Sequence, residues 1–306
     1  METLIREMER HIFGQEQNIR LLIAAFLAGG HVLLEGVPGL GKTKMVRTLA
    51  GLAGGEYRRI QFTPDMMPSD ITGNVIFNIK ESRYQTVKGP VFTNLLLADE
   101  INRTPPKTQA ALLEAMEERQ VTIQGETYGL PDPFFTAATQ NPVEYEGTYP
   151  LPEAQLDRFM FKLIIDYPTP EQEKEILKSH LPCRCDRGGE LCPVLSPEGF
   201  REKRKEMDGV VVEDCILEYI TSIVAGTRAA KRVQLGASPR AGIAIMTACK
   251  AWALMEGRGF VTPDDVKAVA VPALRHRIIV TPQAELEGVT SDRIIRETLA
   301  SVPVPR

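Results

Sequence analysis

Aromatic residues make up 6% of the 306-residue sequence and tryptophan occurs once, so a nucleic-acid surface of basic residues interleaved with stacking rings has little to draw on. Cysteine is equally sparse. Five thiols, an odd number thinly spread, build no disulfide framework and fit a reducing compartment. Neither sign of charge dominates, because 36 basic and 40 acidic side chains leave a formal −4. No overall basic field exists to draw in a phosphate backbone, and nucleic acid is not the expected partner. Long apolar runs are missing too: the longest, Leu21 to Leu34, is interrupted by Gly29, Gly30 and His31 and falls short of the roughly 20 residues that span a bilayer. The opening Met1-Glu2-Thr3 has no basic segment leading into an apolar core and cleavage site, so a cytoplasmic protein without a membrane span is expected. What the sequence does have is 43% hydrophobic and 25% charged residues, the balance of a globular chain, and enough length for two domains.

Between about residues 31 and 166 short apolar runs alternate with amphipathic helical stretches, the pattern of βα units and a parallel sheet. The strands expected are His31–Glu35, Tyr57–Phe62, Leu95–Ala98, Phe134–Thr139 and Phe159–Ile165. The first, third and fourth are nearly continuous apolar runs, as strands buried on both faces should be. After Tyr167-Pro168-Thr169-Pro170 strand signals stop and helix starts take over, each a Ser or Thr cap followed by proline: Ser196-Pro197, Ser238-Pro239, Thr262-Pro263. From Glu213, one helical face carries Ile216, Leu217, Ile220, Ile223 and Val224. The expected fold is an α/β nucleotide-binding core over residues 1–168, a linker over 169–195 containing a cysteine-bearing loop, and a smaller all-α domain over 196–306.

The chemistry starts at Gly36-Val37-Pro38-Gly39-Leu40-Gly41-Lys42-Thr43, which fits the phosphate-binding pattern G-x-x-x-x-G-K-[ST] in its required place between a strand and an amphipathic helix. Gly36, Pro38, Gly39, Leu40 and Gly41, together with Lys44, form the binding loop. Backbone N–H groups and the helix N-terminus face the phosphates, Lys42 reaches the β/γ-phosphates, and the Thr43 hydroxyl ligates magnesium. Leu95-Leu96-Leu97-Ala98-Asp99-Glu100 is an apolar strand ending in two carboxylates, at the strand end where ligands of open α/β sheets bind. Asp99 suits a magnesium ligand and Glu100 a base that polarises water, so hydrolysis is expected and not binding alone. Asn141 ends the next apolar run and is placed to orient that water. Cys183, Cys185 and Cys192 lack zinc-ligand spacing even with His180 as a fourth donor, so loop thiols without metal are expected.

Further runs bind these parts together: Gln61-Phe62-Thr63-Pro64-Asp65, Pro68-Ser69-Asp70-Ile71-Thr72-Gly73, Gly89-Pro90-Val91-Phe92, Ala98-Asp99-Glu100-Ile101-Asn102-Arg103 and Glu153-Ala154-Gln155-Leu156-Asp157-Arg158-Phe159. With the glycine loop they resemble the AAA+ ATPases, and within them the MoxR family, from Ile12 to Arg306 and in the family's order. The resemblance implies a P-loop αβα sandwich followed by a helical lid, with ATP/ADP and Mg2+ as ligands. Lys42 and Thr43 resemble the Walker A pair, Asp99 and Glu100 the Walker B pair, and Asn141 sensor 1. Arg158 is similar to an arginine finger serving the neighbouring subunit, with Arg103 as second candidate, and Arg240 to sensor 2. Ile12-Phe13-Gly14-Gln15 resembles an adenine-side motif. Val75-Ile76-Phe77 with Tyr84-Gln85-Thr86-Val87 resembles the helix-2 insert, and Val121-Thr122-Ile123 with Thr127-Tyr128-Gly129-Leu130 the pre-sensor hairpin, both facing a pore or client. A self-assembled ring, six subunits by family habit, a partner with a von Willebrand factor A domain and a protein client are implied. A magnesium-chelatase-like motor subunit is the alternative within the superfamily. A P-loop switch lacks an Asn-Lys-x-Asp base reader here, and a non-catalytic scaffold is not expected to keep Glu100 and Asn141.

Overall fold

The computed structural model describes residues 1–142, 147–179, 181 and 191–305. Five strands, β1 (Val32–Glu35), β2 (Tyr57–Gln61), β3 (Leu95–Asp99), β4 (Phe135–Gln140) and β5 (Phe161–Ile164), form one sheet in the order β2-β3-β4-β1-β5. The pairs β2/β3 and β3/β4 are parallel, in unbroken register from Tyr57 opposite Leu95 and from Leu95 opposite Phe135. All five residues of β3 are buried, which is why Leu95-Leu96-Leu97-Ala98 carries no alternation. On the edge strand β2 only Ile60 is buried. Each strand matches its expectation within two residues at either end.

The chain divides into two compact units. The first takes Met1–Ile23, Leu33–Leu151 and Ile164–Arg201; the second takes Ala24–Val32, Pro152–Leu163 and Glu202–Arg306. In the first unit the helix Lys42–Ala53 follows β1 through the glycine loop, and its buried face is Met45, Val46, Leu49, Ala50, Leu52 and Ala53. The long connection between β2 and β3 holds an antiparallel hairpin, Gly73–Asn78 with Arg83–Lys88, and a second hairpin, Gln120–Ile123 with Glu126–Gly129, follows the helix Pro106–Glu118. Both lie where the sequence puts them.

In the second unit the helices Asp214–Ala229, Pro239–Met255, Pro263–Leu274 and Ser291–Ser301 pack together around Ile220, Ile245, Ala248, Val266 and Ile295. Three differences from the expected helical domain have physical causes. It is not purely helical, because Val233–Leu235 and Ile279–Val280 pair as a small antiparallel ribbon too short to show a period. Leu217 is 37% exposed and Tyr219 takes its place against the core. Thr262 caps its helix in a reciprocal box with Asp265, but Ser238, also at an N-cap position, makes no cap bond: its Oγ donates to Asp157 Oδ2 at 3.1 Å. Among the described residues no helix is long and apolar enough to cross a membrane.

Candidate functional site

The glycine loop needs its glycines for two separate reasons. At Gly36, a Cβ would stand 2.7 Å from the Ile165 carbonyl oxygen, so the backbones at the ends of β1 and β5 approach too closely for any side chain. Gly41 has φ +81° with open space around it, so only its left-handed backbone demands glycine. That turn starts the Lys42–Ala53 helix, which has no side-chain cap, so its first N–H groups lack a partner within the helix. Lys42 Nζ donates to the Gly36 carbonyl and, at 3.5 Å, to the Gln140 carbonyl, which anchors the lysine across the loop between the ends of β1 and β4. Thr43 is half-buried on the first turn.

Asp99 and Glu100 leave β3 at the same end of the sheet. Asp99 is 8% exposed and both its oxygens are engaged: Oδ1 accepts from Thr139 Oγ1 at 2.6 Å, and Oδ2 accepts from Arg59 Nη2 at 2.6 Å and Nε at 3.0 Å. Glu100 has φ +58°, a left-handed conformation that costs a non-glycine residue roughly 1–2 kcal/mol and that local contacts must hold. Its N–H donates to the same Thr139 hydroxyl at 2.8 Å. Its carboxylate accepts from Gln61 Nε2 at 2.7 Å and lies 3.0 Å from Arg103 Nε. Arg103 thus sits against the glutamate of its own chain. Asn141 follows β4 and is buried.

Thr139 and Arg59 carry no signal of their own in the sequence, and Gln61 enters it only as the start of the run Gln61-Phe62-Thr63-Pro64-Asp65, with no role attached. Register is the signal that finds them: Gln61 lies opposite Asp99, Arg59 shares its face two residues earlier, and Thr139 follows the Ala98–Ala138 pair.

Beside the loop a cavity of about 270 Å³ is lined by Ile12, Phe13, Gln15, Leu40, Lys44, Pro168 and Ile176, with Gly39 and Gly41 at its phosphate-loop side. It is mostly apolar with a few polar groups, as ligand pockets are. Gln15 Nε2 donates to the Asp166 carbonyl at 3.3 Å and Asn18 Nδ2 to the Ile164 carbonyl at 3.0 Å, fixing the Ile12–Gln15 turn. In the first unit, then, the structure brings Gly36, Gly39, Leu40, Gly41, Lys42, Thr43 and Lys44 into one loop and helix start, and Pro38 lies exposed on that loop.

Arg158 and Arg240 both belong to the second unit. Arg158 follows the short helix Glu153–Leu156, and Arg240 is exposed in the first turn of Pro239–Met255. Cys192 is exposed; Cys183, Cys185 and His180 lie outside the described residues.

The donors Thr43 and Asp99 are hard oxygens. Among the described residues no group of three or more His, Cys, Asp and Glu side chains could hold a metal alone. Hard oxygens of this kind suit Mg2+, which takes one or two of them from a protein and leaves its other positions to phosphate and water.

Comparison with known proteins agrees along the whole length. Residues 31–161 match the model of the ATPase family associated with various cellular activities (AAA), and residues 225–298 match the AAA lid domain. The chain is 50% identical to the uncharacterized protein YeaC of Bacillus subtilis, over 98% of this chain and 93% of that protein. It is 42% identical to Chaperone MoxR1 of Mycobacterium tuberculosis, over 100% of this chain and 82% of that one. A crystal structure of a candidate ATPase from Cytophaga hutchinsonii superposes with a TM-score of 0.92 at 42% identity, covering 100% of this chain and 94% of that one. With likeness running through core and lid alike, and not over the phosphate loop alone, the chain belongs to the MoxR family of AAA ATPases.

Proposed function

We propose that this chain is a ring-forming, Mg2+-dependent ATPase that spends ATP hydrolysis on remodelling or activating a partner protein. Residues 1–168 act as the nucleotide core, 169–195 as linker and 196–306 as lid. The observation that carries the reading is the arrangement at the end of β3: two successive carboxylates beside a phosphate loop, the second locked in a left-handed conformation by the hydroxyl that also holds the first.

The base of ATP enters the cavity between Ile12, Phe13 and Leu40, and Lys42 neutralises the β/γ-phosphates. Mg2+, when bound, supplies positive charge to the phosphoryl oxygens, and Thr43 and Asp99 would hold it. Glu100 takes a proton from the attacking water, with Asn141 orienting that water. The new P–O bond forms to the γ-phosphorus as its bond to the ADP oxygen breaks. Arg59 donates to Asp99 and Gln61 to Glu100, which holds both carboxylates in position at the strand end. Arg158 serves the next subunit's γ-phosphate and Arg240 reads the nucleotide from the lid. The ion pair between Arg103 and Glu100 of one chain supports Arg158 over Arg103 as the trans-acting cation. A six-membered ring, a von Willebrand factor A domain partner, a protein client and a cytoplasmic location for the chain itself complete the proposal, and the name Chaperone carried by the mycobacterial relative is in keeping with it.

Lys42→Ala is expected to lose ATP affinity, whereas Glu100→Gln keeps affinity and loses turnover, because one residue binds phosphate and the other acts on water. Calorimetric ATP binding and steady-state phosphate release separate the two. Equal loss of binding in both variants would sink the split. The Glu100→Gln protein held in ATP is also the form expected to retain a von Willebrand factor A domain partner in a pull-down.

A further inference from the structure

In the second unit, the tripeptide Arg275-His276-Arg277 leaves the C-terminus of the Pro263–Leu274 helix and binds the backbone of residues 157–162. Arg275 Nη1 donates to the Lys162 carbonyl at 3.3 Å and His276 Nε2 to the Phe159 carbonyl at 2.9 Å. Arg277, whose side chain is 2% exposed, donates to the carbonyls of Asp157 at 3.0 Å, Phe159 at 2.7 Å and Met160 at 3.2 Å. Its Nε donates to Asp157 Oδ1 at 2.5 Å. One buried guanidinium therefore grips the chain immediately before and immediately after Arg158.

The other oxygen of Asp157 accepts from Ser238 Oγ at 3.1 Å, and Ser238 stands two residues before Arg240. This hydroxyl occupies an N-cap position yet does not cap its helix, whereas Ser196 does, accepting from Gly199 N at 3.1 Å. A Ser side chain normally caps its helix favourably, so at Ser238 the tie to Asp157 displaces it. Burial above all, and as a smaller contribution the charge of Arg240, disfavour the charged form of Arg277, while Asp157 favours it.

We propose that Arg277, acting through Asp157 and Ser238, is a positioning residue that holds Arg158 in place, so that turnover depends on the node while ATP affinity does not. The inference rests on the reading of Arg158 as the finger. A fork of five donors fixes a backbone in a way that a point charge on a flexible stem does not, and a misplacement of about 1 Å at a catalytic group can cost up to about 100-fold in rate.

The test is a set of rate, affinity and melting measurements on Arg277→Lys, Ser238→Ala and Ser238→Thr, the first two repeated in an Arg158→Ala background at enzyme concentrations that keep residual hydrolysis measurable. Arg277→Lys is expected to lower kcat by roughly tenfold or more, and Ser238→Ala by a few-fold, with the Kd for a fluorescent ATP analogue within about twofold of the parent. Ser238→Thr, which keeps the hydroxyl, restores the rate. Neither loss should recur in the Arg158→Ala background. If Arg277→Lys does not fold, Ser238→Ala carries the same prediction through one hydrogen bond. A lower melting temperature with unchanged kcat, or losses that multiply with Arg158→Ala, would overturn the inference. Near-normal turnover of Arg158→Ala by itself would overturn the finger reading and the inference with it. A dead Arg158→Ala beside fully active node variants would overturn the inference alone.

Discussion

At the scale of single residues, the site is governed by backbone conformations that side chains normally avoid. Gly41 and Glu100 both have positive φ, one by composition and one by constraint. Because open space surrounds the Cβ position of Gly41, Gly41→Ala should cost only the left-handed penalty, ~1–2 kcal/mol, read as a fall in denaturation midpoint. Gly36→Ala incurs no left-handed penalty but must push its new methyl away from the Ile165 carbonyl oxygen 2.7 Å off, which is backbone and cannot swing aside, so it should be the more damaging. The reverse order in urea titrations would mean that the loop backbone is not as described. Lys42, Thr43, Asp99 and Glu100 were legible in the sequence because a contiguous motif records them. Arg59 and Thr139 were not, since each lies 40 residues from Asp99 and only strand register brings them together.

At the scale of elements, the same contrast separates what periodicity records from what it does not. Short strand-like runs between helical stretches located all five strands of the sheet, and paired runs located both hairpins, whereas the Val233–Leu235 ribbon has too few residues to show alternation. Residues Phe159 and Met160 read as strand but precede β5, and their carbonyls go instead to Arg277. The strip that holds them has a pH signature. Burial, and next to it the charge of Arg277, hold the His276 imidazole well below its ordinary value, so the folded protein keeps it neutral. Above about pH 6.5 neither state is charged and the residue has no effect on stability. As pH falls below that value the unfolded chain takes up a proton that the native state refuses, and stability falls by up to about 1.4 kcal/mol per pH unit until the folded pKa is reached. His276→Gln keeps an N–H donor for the Phe159 carbonyl and does not titrate. Its urea midpoint should therefore drop less between pH 7 and pH 5.5 than that of the parent, whose carboxylates are otherwise the same; parallel curves would show that His276 is not held neutral.

At the scale of the whole molecule, the question is which subunit each arginine serves; magnitude shows whether an arginine serves an active site, and mixing shows whose. An arginine placed on a transferring phosphoryl group is worth roughly 10³–10⁵ in rate, whereas an exposed ion pair contributes about 0–1 kcal/mol. Arg158→Ala should therefore bind ATP and hydrolyse it at a small fraction of the parent rate. Lys42→Ala, with its defect in the phosphate loop, should be inactive for a different reason. If Arg158 acts across a subunit boundary, mixing the two inactive proteins creates interfaces where an intact loop meets an intact finger, and activity should rise with mixing ratio to a maximum between the pure forms. The measurement is steady-state phosphate release under conditions of subunit exchange, with assembly followed by light scattering. An arginine acting within its own chain gives no such maximum, because every subunit still carries one defect. A flat response in assemblies shown to be mixed would remove the trans role from Arg158 and transfer it to Arg103, whose pairing with Glu100 would then have to open on assembly.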